Sequence, residues 1–233
     1  MSSNDIFSRH ALFLGEEKLR LLRNSTILVA GVGGLGSVVC DILYRSGIGK
    51  LILVDNNKVD LPDLNRQSLF TALDIGKYKV IAAAERLSEI HTLTELVTFQ
   101  IDITDQKALS VLKDEHRFAG IADCLDNYHS RFALEKMVER DVFLVHGGVR
   151  NDFGQVTTIN KGRSLQTLYK GEKDFAESIP VMPQIVKIIG SIMTQEIMNN
   201  IFWEPLLVDK LVIFELSDFS LFKLDIDLRI EVK

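Results

Sequence analysis

Four glycines mark where a phosphate would sit. Gly31, Gly33, Gly34 and Gly36 follow the apolar run Ile27-Leu28-Val29-Ala30 and precede a helical segment. Glycines at this spacing let the backbone turn tightly and approach a phosphate with no Cβ in the way. The helix that follows offers unpaired N–H groups to the anion. Asp55 closes the next apolar run, where a carboxylate meets a ribose hydroxyl of NAD or ATP equally well. The segment Asp63-Leu64-Asn65-Arg66-Gln67, with Lys79 further on near a helix start, separates those two ligands. Hydride transfer needs no Arg and Lys there, whereas a triphosphate carrying roughly four negative charges does. Cys124-Leu125-Asp126-Asn127 ends a further apolar run, at the sheet edge where ligands of open α/β sheets bind. A carboxylate at Asp126 can hold Mg²⁺ against the phosphates.

These residues need strands to carry them to one edge. Strands are expected at 26–30, 50–54, 96–101, 120–124 and 142–146, alternating with helices at 37–46, 77–90, 105–115 and 130–140, after a helical lead-in at 6–24. The lead-in is apolar at Leu12, Leu14, Leu19, Leu21 and Leu22. Such alternation predicts a Rossmann-like α/β domain: a mostly parallel central sheet with helices on both faces. The rhythm changes in the C-terminal third. Strands at 154–159, 211–214 and 219–224, the last two as a hairpin, add antiparallel pairs, and a helix is expected at 183–200. Residues 163–178 are charged and weakly patterned, which predicts a mobile crossover loop over about 163–182. No linker or repeat divides the chain, so one domain is expected over 1–233.

Composition sets the class. With 46% apolar and 25% charged residues, the chain reads as soluble and globular. A net charge of −5 argues against general affinity for nucleic acid or an anionic membrane. A polar N-terminus and the lack of a spanning apolar run predict neither signal peptide nor membrane segment, and hence a cytoplasmic protein. Cys40 and Cys124 are the two cysteines. Two thiols in unrelated contexts give no disulfide framework and no zinc site, and both read as core residues. His129 and His146 read as packed or surface histidines with no partner in sequence; Phe7, Phe202 and Trp203 read as core or dimer contacts.

The ordered set of motifs resembles the MoeB/ThiF/HesA group, bacterial relatives of the ubiquitin-activating enzymes, from about residue 7 to 224. Its marks are Ser8-Arg9-His10, Gly31-Val32-Gly33-Gly34-Leu35-Gly36, Val54-Asp55, Asn65-Arg66-Gln67, Gly76-Lys77-Tyr78-Lys79 and Cys124-Leu125-Asp126-Asn127. Gly147-Gly148-Val149-Arg150 with Gly154-Gln155-Val156, and Val181-Met182 with Ile189-Gly190-Ser191, complete it. The resemblance implies ATP-dependent, Mg²⁺-dependent adenylation of the C-terminal Gly-Gly carboxylate of a ubiquitin-like sulfur-carrier protein, of ThiS or MoaD type, with release of pyrophosphate. It implies Asp55 as ribose ligand, Arg66 and Lys79 as phosphate ligands, and Asp126 as the Mg²⁺-linked carboxylate. Asn57, Asn65, Gln67, Leu125 and Asn127 join them as ATP-binding residues. Arg9 resembles an arginine that reaches into the neighbouring subunit's site, which implies a homodimer.

The chain also departs from that pattern. The Cys-x-x-Cys pairs that hold a structural zinc in many relatives are missing, one of them near Ser164-Leu165-Gln166-Thr167, so no zinc is expected. No cysteine occurs over residues 163–182, where some relatives carry one near the position of Ala176. The implied chemistry stops at the acyl-adenylate, with sulfur delivered by a separate donor. A second acid after Asp55 is replaced by Asn57, which weakens a metal role there. Activation of a small-molecule or tRNA-borne carboxylate is the alternative within the family. An NAD-dependent oxidoreductase and a non-catalytic carrier-binding module are the alternatives outside it.

Overall fold

The computed structural model describes residues 6–170, 172, 174 and 179–229. Eight strands form one sheet: β1 (Thr26–Ala30), β2 (Lys50–Val54), β3 (Glu95–Phe99), β4 (Gly120–Asp123), β5 (Phe143–Arg150), β6 (Phe153–Ile159), β7 (Lys210–Glu215) and β8 (Ser220–Asp225). Their order across the sheet is β3-β2-β1-β4-β5-β6-β7-β8. The first five are parallel; β6, β7 and β8 join antiparallel. The central strands β1, β2 and β4 are almost entirely buried, which is why their sequences are continuous apolar runs rather than alternating ones.

The helices are α1 (Ser8–Arg23), α2 (Gly34–Ser46), α3 (Lys79–Ser88), α4 (Gln106–Glu115), α5 (Tyr128–Glu135), α6 (Leu165–Leu168) and α7 (Pro183–Ile201). One core, built from α2, α3 and α7 against Ile27, Val29, Leu51 and Leu53, fills one sheet face. The other face, carrying Leu28, Ala30, Ile52 and Val54, packs on Leu109, Leu112, Leu134 and Leu165. Alternate residues of the same strand thus serve opposite cores, as a two-sided sheet requires. The order reverses between β1 and β4, so the loops after those two strands part and leave a crevice at the strands' carboxyl ends.

Several boundaries differ from the sequence reading, each for a local reason. Helix α2 starts at Gly34 rather than 37; the low helix propensity of glycine hides that first turn. Helix α3 starts at Lys79, since Tyr78 is extended and Lys77 lies outside. Helix α5 ends at Glu135, short of 140. Strand β5 runs through Gly147-Gly148 to Arg150, because the whole stretch finds a partner in β6. The loop expected at 163–178 contains α6, capped by the Ser164 side chain. Residues 171, 173 and 175–178, with the Ala176 position, lie outside the described residues. Leu12 is exposed although Leu19 and Leu22 are buried; of the three residues expected in the core or at a dimer contact, Phe7 and Phe202 are buried and Trp203 is exposed.

A buried carboxylate closes the C-terminal side. Glu196 on α7 is 2% exposed. Its Oε1 accepts from Thr158 Oγ1 (2.9 Å), Leu206 N (2.9 Å) and Leu207 N (2.8 Å), and its Oε2 from Asn199 Nδ2 (2.9 Å). Glu196→Ala leaves these donors unmatched under the α7–β7 loop. The expected loss is about 3 kcal/mol, seen in thermal unfolding as a drop of roughly 6–12 °C. An unchanged melting temperature would mean that water replaces the carboxylate at no cost.

Candidate functional site

The crevice between β1 and β4 opens into a cleft of about 720 Å³, within the range of small-molecule sites. Its floor is the glycine loop. Gly31 N donates to Val54 O (2.8 Å), which ties the loop back to β2. Gly31 has φ 84°, and a Cβ there would lie 2.9 Å from Cys124 O. Only glycine lets the loop pass between the ends of β1 and β4. Asp55, at the end of β2, accepts from Val32 N (2.8 Å) and Asn57 N (2.8 Å). Burial pushes its carboxyl above the usual carboxylate range, against the pull of those N–H groups and of the Lys79 ammonium.

A compact ionic cluster lines the same cleft, with Gln67 and Arg66 beside Gly33 and Gly34. Asp60 caps a 3-10 turn, Leu61–Asn65, in a reciprocal capping box with Asp63. That turn buries Asp63, whose carboxylate gathers the cluster. Oδ2 meets Lys79 Nζ (3.1 Å) and Asp60 N (3.1 Å); Oδ1 accepts from Gln67 Nε2 (2.6 Å) and faces Arg66 Nη2 at 3.6 Å. Lys79 is 8% exposed, the first residue of α3, with its own N–H held by Asn57 O (2.9 Å). Arg66 is further braced by Pro62 O and Asn65 Oδ1, both at 3.0 Å. Gln67 Oε1 is buried with no hydrogen-bond partner, although its amide lines the cleft. Buried acceptors in this state call for a donor from outside the chain.

Gly31, Gly33, Gly34, Asp55, Asn57, Arg66, Gln67, Lys79, Leu125, Asp126 and Asn127 all line this one cleft. Gly36 and Asn65 do not. Gly36 lies beneath the loop in α2, where a Cβ would meet Gly31 O at 1.9 Å, and Asn65 braces Arg66 instead of facing the cavity. Asp126 is exposed at the rim, and Asn127 caps α5 through Ser130 N (2.8 Å). Arg9 is exposed on α1 and forms no part of the cleft. Both cysteines are buried, and burial raises both thiols far from reactivity.

Sequence reasoning missed Asp63, the hub of the cluster. Its signal was the Asp60-x-x-Asp63 spacing of the capping box. It also missed Arg131, which lines the cleft, and the partners of His146: Asp123, Arg131 and Tyr169. These are separated by 15 to 23 residues, with no local spacing to betray them.

The arrangement suits a nucleoside triphosphate. The glycine loop, two cations and the Asp55 carboxylate share the lining of one cleft. Among the described residues no group of three or more His, Cys, Asp or Glu could hold a metal by itself. Asp126 would supply one ligand to a divalent ion whose remaining ligands come from water, amide or carbonyl oxygens or a bound anion.

The ThiF family model matches residues 7–229. Over 202 residues the sequence is 31% identical to a probable molybdopterin-synthase adenylyltransferase of Porphyra purpurea, covering 82% of this chain and 52% of that protein. Over 100 residues it is 38% identical to the tRNA threonylcarbamoyladenosine dehydratase of Bacillus subtilis, covering 43% and 39% respectively. The chain thus spans about half, or less, of the length of these curated relatives. A crystal structure of E. coli MccB with ATP superposes with a TM-score of 0.82 at 18% identity, over 97% of this chain and 73% of that one, a likeness of fold.

Proposed function

This chain belongs to the ThiF family, and on that premise we propose that it is an ATP-dependent adenylyltransferase of a small ubiquitin-like sulfur-carrier protein. One observation carries the reading: Lys79 and Arg66, gathered on Asp63, line a single cleft together with the glycine loop, Asp55 and Asp126. A triphosphate carries more negative charge than the pyrophosphate of a dinucleotide, and two cations on one cleft wall suit the larger charge better.

The reacting group is the carrier's terminal Gly-Gly carboxylate, ionised at neutral pH with a pKa of about 3.5. It attacks the α-phosphorus, and the bond to the bridging oxygen breaks with its electron pair leaving on pyrophosphate. No general base is needed. The barrier is the approach of one anion to another, which fixed cations lower. Lys79 and Arg66 hold the phosphates, Asp55 the ribose, and Gln67 Oε1 takes a hydroxyl or amino donor of the nucleoside. Mg²⁺ on the triphosphate, held from the protein side by Asp126, would offset further phosphate charge.

Arg9 completes a second copy's site in a homodimer. In support, Arg9 is exposed on α1 beside Leu12 and Phe13, each 89% exposed, an apolar pair that a protein contact would cover. Without a cysteine over 163–182, the product remains the acyl-adenylate, and a separate protein in the cytoplasm supplies sulfur. The likeness to the tRNA threonylcarbamoyladenosine dehydratase favours a second reading, in which a tRNA-borne or small-molecule carboxylate takes the carrier's place.

ATP–[³²P]pyrophosphate exchange with Mg²⁺ tests this. Exchange is expected with a carrier ending in Gly-Gly and not with the same carrier lacking that terminus. ATP binding with no exchange for any carrier would move the assignment to the second reading.

A further inference from the structure

Arg131 lines the cleft, yet its hydrogen bonds go to the protein. On α5, it donates through Nη2 to Leu125 O and through Nη1 to Gly147 O (3.1 Å). The first of these carbonyls belongs to the loop that carries Asp126; the second lies on β5. The loop is held a second time, from β4, where Asp123 Oδ1 accepts from Leu125 N (3.1 Å).

A buried chain stands behind the guanidinium. Asp123 and His146 are both fully buried. His146 Nδ1 faces Asp123 Oδ2 at 2.7 Å, and Arg131 Nη1 lies 3.8 Å from the same oxygen and 2.8 and 2.9 Å from the two imidazole nitrogens. Burial and the Arg131 charge push His146 below its usual range. His146 Nε2 lies 2.6 Å from the Tyr169 hydroxyl. The Tyr169 oxygen accepts in turn from Gln155 Nε2 on β6. Burial alone would raise Asp123, but the Arg131 charge, the His146 hydrogen bond and the Leu125 N–H hold it below the usual carboxylate range. Asp123 and Arg131 are each hydrogen-bonded within this cluster, which is the condition for a buried ion pair to be rigid rather than costly.

Nothing in the proposed chemistry uses these groups directly. Arg131 reaches the cleft wall and joins the Leu125–Asp126 loop through the Leu125 carbonyl. We propose that Arg131, clamped by the Asp123–His146–Tyr169 chain, is the positioning residue of the Leu125–Asp126 loop, so that Tyr169, just after α6 and outside the cleft wall, fixes how the Asp126 carboxylate is presented. The effect on turnover rests on the adenylation reading above; the effect on the loop does not.

Two variants of the full chain test this. Tyr169→Phe removes one hydroxyl and keeps the ring, and Arg131→Lys keeps the charge but loses the planar fork that reaches both carbonyls. Hydrogen exchange by mass spectrometry reads the loop without any substrate. Amides of residues 125–128 should exchange about fivefold faster or more in both variants, with β1 and α2 unchanged. In pyrophosphate exchange, kcat should fall about tenfold for Tyr169→Phe and further for Arg131→Lys, with KM for ATP within about threefold. Unchanged exchange at 125–128 overturns the proposal. So does acceleration spread evenly over the whole chain, which marks plain destabilisation. A wild-type protein that binds ATP yet gives no turnover refutes the adenylation reading alone, and the loop measurement still decides this one.

Discussion

Lys79→Ala is expected to lower ATP–pyrophosphate exchange on the order of 100-fold or more, the scale of losing one preorganised donor to a transition state, while the fold persists. The geometry explains why the two effects separate. Lys79 is buried and paired with Asp63 at 3.1 Å, and deleting one partner of a buried pair costs about 3–5 kcal/mol when the other is left bare. Asp63 is not left bare: Gln67 Nε2 and Asp60 N still donate to it, and Arg66 stands 3.6 Å away. The penalty therefore falls well below that range. What is lost is a cation held in advance in the cleft that the glycine loop lines, and no flexible surface lysine can substitute. The measurement is exchange rate together with circular dichroism and ATP affinity. A folded variant with unchanged exchange would remove Lys79 from the chemistry, and with it the main support for the triphosphate assignment.

The second large effect concerns a glycine that touches no ligand. Gly36→Ala should destabilise the protein by about 3 kcal/mol or more and abolish ATP binding. The substitution sits inside α2, where Ala is favoured over Gly by about 1 kcal/mol. Helix propensity alone would predict stabilisation. The added Cβ, however, would lie 1.9 Å from Gly31 O and 2.9 Å from Gly31 C, both backbone atoms that no rotamer change can move. The loop cannot retreat either, since Gly31 N is bonded to Val54 O at 2.8 Å and the Gly31 α-carbon is packed close to Cys124 O. Relief requires separating α2 from the loop, which dismantles the phosphate cradle. Thermal unfolding and ATP titration of the purified variant check both halves. A stabilised variant that still binds ATP would show that the loop yields easily, and that the tight approach is incidental.

The sequence made the parallel half of the sheet and most of the cleft wall legible, because each of those features is local. Buried strands are short apolar runs, and the glycine loop, Asp55 and Asp126 all sit where such runs stop. What escaped it depends on partners brought together by the fold. Asp63 was in plain view beside Arg66, but nothing in a sequence says that its carboxylate turns inward to gather Lys79, Gln67 and Arg66. His146 seemed partnerless because Asp123 and Tyr169 are each 23 residues away. Gly36 and Asn65 were assigned to ligand by motif, whereas one keeps two backbone segments in contact and the other braces a neighbour. Boundaries failed where propensity and context disagree, as at Gly34 in α2 and at Gly147-Gly148 in β5.

The strand order has one more consequence, for the time course of folding. Strand β1 pairs with β2, its neighbour in the chain, but also with β4, so that Ile27 lies against Gly120. Pairings between such distant segments must meet a large loop-closure cost before any contact repays it, and they slow folding. The glycine loop and Asp55 belong to the early, local pairing, and Asp126 to the late one. A chain emerging from the ribosome carries half of the proposed nucleotide cradle before the other half exists. Nucleotide, binding both halves at once, would act as a clasp on the slowest seam of the molecule and should favour the completed sheet over its partly folded precursors.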